Sequence, residues 1–162
     1  MATTIQFYHL LSTSRERAVP KLMEKVLATG SRAVMLAGSD VLLKQMSDAL
    51  WSNDPASFLP HGLARDGHAS AQPIYLTVAD ENPNQADILC VLDGSQPASV
   101  AQYNKVLDVF DGSNESDVAA ARKRWTSYKA QGFALQYVKQ QPGGGWKVEM
   151  TSDAAASQSR QI

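Results

Sequence analysis

Residues 5–37, IQFYHLLSTSRERAVPKLMEKVLATGSRAVMLA, decide the fold of this chain. The run 5–11 is short and rich in aromatic and apolar residues, which favours a strand. Over 15–29, apolar residues recur at helical spacing, and Gly30 is placed to end the helix. The run 32–37 is apolar almost throughout and indicates a strand buried on both faces. Strand, helix and strand in this order predict a right-handed parallel crossover.

The rest of the chain continues the alternation of strands and helices. The further predicted elements are a helix over 40–51 capped by Ser39, a loop over 53–72, strands over 73–79 and 86–93, a helical turn from Pro97 leading into a strand over 103–110, a helix over 115–131 capped by Asn114 or Ser116 and ended by Gly132, and a strand over 133–140. We therefore expect an α/β domain over 1–140, with a mostly parallel sheet flanked by helices. The low apolar content of 141–162 predicts a flexible C-terminal tail.

Composition limits the classes of function. The chain has 162 residues, enough for one domain, and a formal net charge of -1, which argues against wholesale wrapping of a phosphate backbone. No apolar run is long enough to span a bilayer and the start, MATTIQFYHLL, lacks the basic region of a signal peptide, so we expect a cytoplasmic protein with no membrane contact. Cys90 is the sole cysteine, which excludes an internal disulfide.

The motifs of common catalytic sites are missing from this sequence. The turn after the first strand, LLSTSRER, contains no glycine to let phosphate approach the backbone, and neither a Walker A loop nor a GxGxxG occurs. His9, His61 and His68 are dispersed, without metal-ligand spacing. We therefore predict no catalytic residue, no metal and no cofactor.

One helix concentrates basic and aromatic residues in AAARKRWTSYKAQGF, residues 119–133. At 100° per residue, one face would carry Arg122, Trp125, Thr126 and Lys129. Such a face could present a guanidinium, an indole wall and an ammonium together. Alternatively, Trp125 and Tyr128 are core anchors, and the cations form a solvated surface near the helix C-terminus.

A second unusual segment is the loop WSNDPASFLPHGL, residues 51–63. It contains two large aromatic residues, Trp51 and Phe58, among polar ones. They can fill the core beneath their own loop, or they can form an exposed apolar patch for a partner.

Together these segments resemble the chi subunit family of bacterial DNA polymerase III. The resemblance rests on FYHLL (7–11), DALWSNDPASFLPHGLA (48–64), DILCVLDG (87–94), FDG (110–112) and ARKRWTSYKAQGF (121–133), and it covers about residues 1–140. It implies a Rossmann-like fold without a nucleotide cofactor. It also implies a non-catalytic adaptor that links the clamp-loader complex to single-stranded-DNA-binding protein, with contact to nucleic acid mainly indirect.

For the basic helix, the resemblance implies a site for the acidic C-terminal tail of single-stranded-DNA-binding protein, which ends in phenylalanine. Arg122 would bind the terminal carboxylate and Trp125 would wall a slot for the terminal ring. The cations expected to attract the preceding acidic residues are Lys123, Arg124 and Lys129. Thr126 stands where family members often have lysine, and Val118 where some members have another lysine, which predicts weaker or less salt-sensitive tail binding.

For the loop, the resemblance implies a surface that meets the psi subunit or the clamp-loader complex, or a helicase at the same face. Phe58 would be the anchor within Phe58, Leu59, Pro60 and His61, and Trp51 would support it from the core side.

Two other functions remain open on the sequence alone. One is a small nucleotide-binding enzyme on a Rossmann-like sheet, and the other is a module that binds nucleic acid directly.

Overall fold

The computed structural model describes residues 3–11, 13–52, 60–63, 66–143 and 145–152. Its elements are β1 (Thr4–Leu10), α1 (Arg15–Ala28), β2 (Ala33–Leu36), α2 (Asp40–Ser52), β3 (His61–Leu63), β4 (Ile74–Thr77), β5 (Ile88–Val91), β6 (Lys105–Asp111), α3 (Glu115–Ala130), β7 (Ala134–Gln140) and β8 (Trp146–Ser152). Short 3-10 helical turns lie at Ala69–Ala71 and Ala98–Gln102.

The strands of the described chain form one sheet in the order β3-β4-β2-β5-β6-β1-β7-β8. Neighbouring strands are parallel from β3 to β7, and β8 runs antiparallel to β7. Parallel neighbours need crossover connections. α1 follows β1, α2 follows β2 and α3 follows β6, whereas the connections from β3 to β4 and from β5 to β6 contain the short 3-10 turns. The predicted α/β fold with a mostly parallel sheet is confirmed.

The side chains of each strand alternate between the two sides of the sheet, so both faces carry apolar residues. Helices cover both faces and bury these residues. In β1, Leu10 joins the apolar cluster under α1 and α2, together with Met23 and Leu43. Phe7, from the same strand, joins the opposite cluster under α3, together with Tyr128. The two clusters make a three-layer domain with the sheet in the middle.

The predicted boundaries of the helices agree with the structure to within one residue. In α3, the Asn114 side-chain oxygen accepts hydrogen bonds from the backbone N–H of Ser116 at 2.9 Å and of Asp117 at 3.2 Å. Gly132 follows the helix with a φ of 95°, a conformation that glycine adopts without strain. Of the two predicted caps, Asn114 or Ser116, the structure has Asn114, and Gly132 as the end of the helix is confirmed.

The loop predicted over 53–72 contains a short strand. His61–Leu63 forms β3 at the edge of the sheet, where it pairs parallel with β4. Three residues around Gly62 carry no strand pattern of their own, so the open edge of β4 determines their conformation. Residues 53–59, 64 and 65, which include Phe58 and Leu59, lie outside the described residues.

The sequence expectation was wrong for the first part of the C-terminal segment. Trp146–Ser152 forms β8, paired with the outer edge of β7, where we expected a tail without regular structure. Pairing satisfies the N–H and C=O groups that β7 would otherwise expose, and the Trp146 ring packs 5.1 Å from the Tyr8 ring. Residues 153–162 lie outside the described chain.

Candidate protein-binding site

Three buried residues on one side of α3 fix which of its side chains face solvent. Ala121, Arg124 and Tyr128 are 1%, 7% and 2% exposed, and they follow one another at spacings of three and four residues. The outward-facing residues of the basic segment are therefore Arg122, Lys123, Thr126 and Lys129, all of them exposed.

Arg124 is the member of the predicted cation set that the structure removes from the surface. Its Nε donates to Asp108 Oδ2 at 2.7 Å and its Nη2 donates to Asp108 Oδ1 at 2.8 Å. Both side chains are almost fully buried. The expectation that Arg124 attracts acidic residues of a partner is therefore wrong, because its guanidinium is already paired with the Asp108 carboxylate of β6.

Trp125 is half-buried, so it belongs both to the core and to the surface. Its ring lies 5.6 Å from the Phe7 ring and 6.2 Å from the Tyr137 ring. Tyr128, in contrast, lies entirely within the core, where burial raises its pKa to about 12. The alternative of two core anchors is thus correct for Tyr128 and only partly correct for Trp125.

Tyr137 and Lys139 of β7 complete this surface, and our sequence reasoning did not select them. The Tyr137 hydroxyl lies 2.6 Å from His9 Nδ1, and the two rings are 5.7 Å apart. Phe110 lies beside both, at 5.3 Å from the His9 ring and 6.1 Å from the Tyr137 ring. The period of two in FALQYVKQ, residues 133–140, could have indicated that Tyr137 and Lys139 share a face.

The electrostatics of this surface show which charges converge on it. The pKa of His9 is lowered, first by burial and then by Lys139, while Asp111 opposes these effects and Arg122 adds to them. Burial raises the pKa of Tyr137, and Arg122 counteracts that increase. Arg122 and Lys139 therefore act on the same spot from α3 and from β7.

This arrangement suits an anionic ligand that carries an apolar or aromatic group. The guanidinium of Arg122 can hold a carboxylate through two parallel hydrogen bonds. The aromatic rings of Trp125 and Tyr137 offer an amphipathic wall beside it. We define the tail surface as Arg122, Trp125, Tyr137 and Lys139.

The second predicted surface is only partly within the described chain. Trp51, at the end of α2, is 64% exposed, and its ring lies 4.9 Å from the half-buried ring of His61. Phe58 lies outside the described residues, so the expectation that Trp51 supports it from the core side stays a prediction. Pro60 is half-buried next to His61.

Comparison with known proteins identifies the family. A model of the family described as "DNA polymerase III chi subunit, HolC" matches residues 2–136. The chain belongs to the DNA polymerase III chi subunit family. Membership gives it an accessory role in DNA replication, and chi is a non-catalytic subunit.

Curated relatives of this chi family member are distant in sequence. The DNA polymerase III subunit chi of Haemophilus influenzae is 24% identical over 139 residues, which cover 83% of this chain and 96% of that protein. The subunit chi of Escherichia coli is 26% identical over 121 residues, with coverages of 74% and 82%. A probable subunit chi of Rickettsia prowazekii is 28% identical over 109 residues, and this chain spans 66% of that protein.

A nucleotide site in this chi family member would be expected in the crevice at the carboxyl ends of β1 and β6. These two neighbouring strands continue into helices on opposite faces, the position where α/β sheets commonly bind ligands, and a cavity of about 680 Å³ opens there. Four carboxylates line the cavity, from Glu16, Asp93, Asp111 and Asp117. Of the two guanidiniums in the lining, that of Arg124 is paired with Asp108. A phosphate would meet more negative than positive charge, which disfavours the nucleotide-enzyme hypothesis.

The described residues contain neither a cluster suited to a metal ion nor a helix that could span a membrane. No group of three or more His, Cys, Asp or Glu residues in that part of the chain is arranged to hold a metal ion. None of its helices has the length and apolar character required to cross a bilayer.

Proposed function

We propose that this chi family member is an adaptor that links the polymerase III clamp-loader complex to the C-terminal tail of single-stranded-DNA-binding protein. The observation that carries the proposal is the convergence of the exposed Arg122 with the half-buried Trp125, Tyr137 and Lys139 on one surface. In a protein of net charge -1, this surface concentrates positive charge beside aromatic rings.

The chemistry of the tail surface supports a peptide that ends in an aromatic residue. Arg122 is exposed and carries no ion pair to another described residue. Its guanidinium is therefore available to the free carboxylate of a chain end. Trp125 and Tyr137, whose rings are 6.2 Å apart, contact the terminal aromatic ring. Lys123, Lys129 and Lys139 attract the acidic residues that precede it.

The surface around Trp51 binds the second partner in this proposal, the psi subunit or the clamp-loader complex. An indole that is 64% exposed costs solvation free energy unless a partner covers it, and aromatic residues are frequent anchors at interfaces. Pro60, His61 and, outside the described residues, Phe58 and Leu59 belong to the same proposed surface. A helicase that uses this face would compete with the psi subunit.

Fluorescence anisotropy with a short peptide tests the tail interaction. The peptide ends in acidic residues, proline and phenylalanine, and carries its dye at the amino end, which leaves the carboxylate free. We expect micromolar affinity that weakens with salt. Amidation of the carboxylate, or Arg122→Ala, should each weaken binding about ten-fold or more, because a charge-assisted hydrogen-bond pair is lost.

The matched control is Arg17→Ala, which removes an exposed arginine from α1 on the opposite face of the sheet. It should leave the affinity unchanged. Equal affinities for the free and amidated peptides, or an Arg122→Ala variant that binds as well as Arg17→Ala, would show that the tail surface is wrongly assigned.

A further inference from the structure

Strand β8 lies beyond the region of this chain that matches the family. The match ends at residue 136, within β7, whereas β8 comprises Trp146–Ser152. The strand covers the outer edge of β7, the strand that contributes Tyr137 and Lys139 to the tail surface. β8 is therefore well placed to enlarge that surface.

The register of β8 determines which of its side chains share a face with α3. Lys147 pairs with Lys139, and Met150 pairs with Tyr137. Residues directly opposite each other in an antiparallel pair point to the same side of the sheet. Tyr137 contacts Trp125 of α3, so Met150 and Lys147 also lie on the α3 side.

An irregularity in the pairing brings Met150 to this side. Val138 pairs with Val148 and Tyr137 pairs with Met150, so Glu149 is the extra residue of a bulge. In a regular ladder Glu149 would oppose Tyr137, and Met150 would point to the other face. As it is, the Met150 side chain is 55% exposed next to Tyr137.

The lysine pair points to an anionic ligand. Like charges directly opposite each other destabilise a strand pair, and their side chains start only about 5 Å apart. In the described part of the chain, neither Lys139 nor Lys147 forms a salt bridge. Arg122 adds a third cation to this area. Burial raises the pKa of Tyr137, and the Glu149 carboxylate adds to that increase, while the Asp111 carboxylate acts on His9. The three cations outnumber these two carboxylates.

We propose that β8 extends the tail surface, so that Lys139 and Lys147 bind the acidic residues preceding the terminal aromatic residue, and Met150 packs against the same peptide. This inference rests on the proposed function. It assigns an acidic peptide, rather than a nucleic acid, because the apolar Met150 and the rings of Tyr137 and Trp125 border the cations. The strand lysines supply positive charge that α3 lacks at Thr126.

A double-mutant cycle between protein and peptide tests this extension. Lys147→Gln and Lys139→Gln are each titrated with the acidic peptide and with a neutral peptide. In the neutral peptide, asparagine or glutamine replaces the acidic residues and the terminal carboxylate stays free. We expect each variant to bind the acidic peptide about two- to five-fold more weakly, as for an exposed ion pair. For the neutral peptide, the variants and the unmodified protein should have equal affinities.

Lys21→Gln is the matched control, because Lys21 is an exposed lysine of α1 on the other face of the sheet. If Lys147→Gln behaves like Lys21→Gln while Arg122→Ala and Lys139→Gln weaken binding as expected, the β8 extension is wrong and the proposed function stands. If Arg122→Ala also has no effect, the proposed function itself fails. An equal loss for acidic and neutral peptides would overturn the assignment of the lysines to carboxylates.

The methionine methyl groups give an independent readout. On addition of the acidic peptide, the methyl resonance of Met150 should shift, whereas that of Met46, which is 0% exposed on the buried face of α2, should not. A resonance of Met150 that stays unchanged at saturation would exclude it from the peptide contact.

Discussion

Arg124 of α3 and Asp108 of β6 form a buried ion pair with two parallel hydrogen bonds, at 2.7 and 2.8 Å. The guanidinium carbon also lies 6.0 Å from the centre of the Phe7 ring. The pair fixes the rotation of α3 about its axis, because Arg124 has to reach a single carboxylate inside the domain. The exposure of Arg122 and the position of Trp125 follow from that rotation.

Breaking this pair should destabilise the domain strongly. Burial raises the pKa of Asp108 even with the guanidinium beside it, so the carboxylate would be poorly accommodated alone. We expect Arg124→Leu to lower the free energy of unfolding by about 3–5 kcal/mol, measured by urea denaturation. Lys123→Leu, one position earlier on the exposed side, should change it by no more than about 0.5 kcal/mol.

Replacing both partners distinguishes an orphaned charge from lost packing. Asp108→Leu combined with Arg124→Leu should recover most of the stability, since no buried charge is left without its partner. If Arg124→Leu alone lowers the free energy of unfolding as little as Lys123→Leu does, the ion pair does not stabilise the domain as described.

The sequence predicted most of the fold because the decisive signals are local. The cap at Asn114, the apolar period of α1 and the apolar runs of β2 and β5 each determine a conformation within a few residues. The strands β3 and β8 were not predicted from the sequence, because their conformations depend on pairing with β4 and β7. Strand pairing at an edge is a tertiary interaction, and composition alone does not indicate it.

A methyl group at Gly112 should disturb the tail surface from beneath. A Cβ at this position would lie 2.1 Å from the His9 ring and 2.4 Å from the backbone oxygen of Leu10. We expect Gly112→Ala to cost about 1–3 kcal/mol of stability and to displace the His9 ring from the Tyr137 hydroxyl. Urea denaturation and the ring resonances of His9 measure the two effects.

Gly143→Ala serves as the control for that substitution, because a Cβ there would meet nothing within 4 Å. Its stability should stay within about 0.5 kcal/mol of the unmodified protein. A Gly112→Ala variant with unchanged stability and unchanged His9 resonances would contradict the described packing.

The site was less predictable than the fold. Helical spacing correctly put Arg122, Thr126 and Lys129 on the exposed side of α3. The burial of Arg124 depends on Asp108, 16 residues away in another element, and no local pattern marks that pairing. His9 and Tyr137 likewise meet only because β1 and β7 are neighbours in the sheet.

Binding of an acidic peptide should raise the pKa of His9. Burial, and after it Lys139 and Arg122, hold that pKa below its usual value, and an anion bound beside the two cations offsets their effect. Because the complex then binds a proton more readily than the free protein, the affinity should increase as the pH falls through the pKa that His9 has in the complex. NMR titration of His9 with and without peptide measures the shift, and a pKa that falls on binding would refute the placement of the anion.

The two proposed surfaces should be separable by mutation. Trp51 lies at the end of α2 and Arg122 lies on α3, and the two helices cover opposite faces of the sheet. We expect Trp51→Ala to weaken capture of the psi subunit or the clamp-loader complex about ten-fold, as for an aromatic anchor, while binding of the acidic peptide stays unchanged. Arg122→Ala should instead weaken binding of the acidic peptide and leave capture of the psi subunit or the clamp-loader complex unchanged.

Co-precipitation with purified partners and anisotropy with the peptide, performed on the same two variants, measure both effects. Val41→Ala is the control for Trp51→Ala, because Val41 is also on α2 and is 69% exposed. Trp51 is largely in solvent, so its replacement should leave the free energy of unfolding within about 1 kcal/mol of the unmodified value. A Trp51→Ala variant that loses the peptide, or that retains the clamp-loader partner as Val41→Ala does, would exclude Trp51 as the anchor of a separate surface.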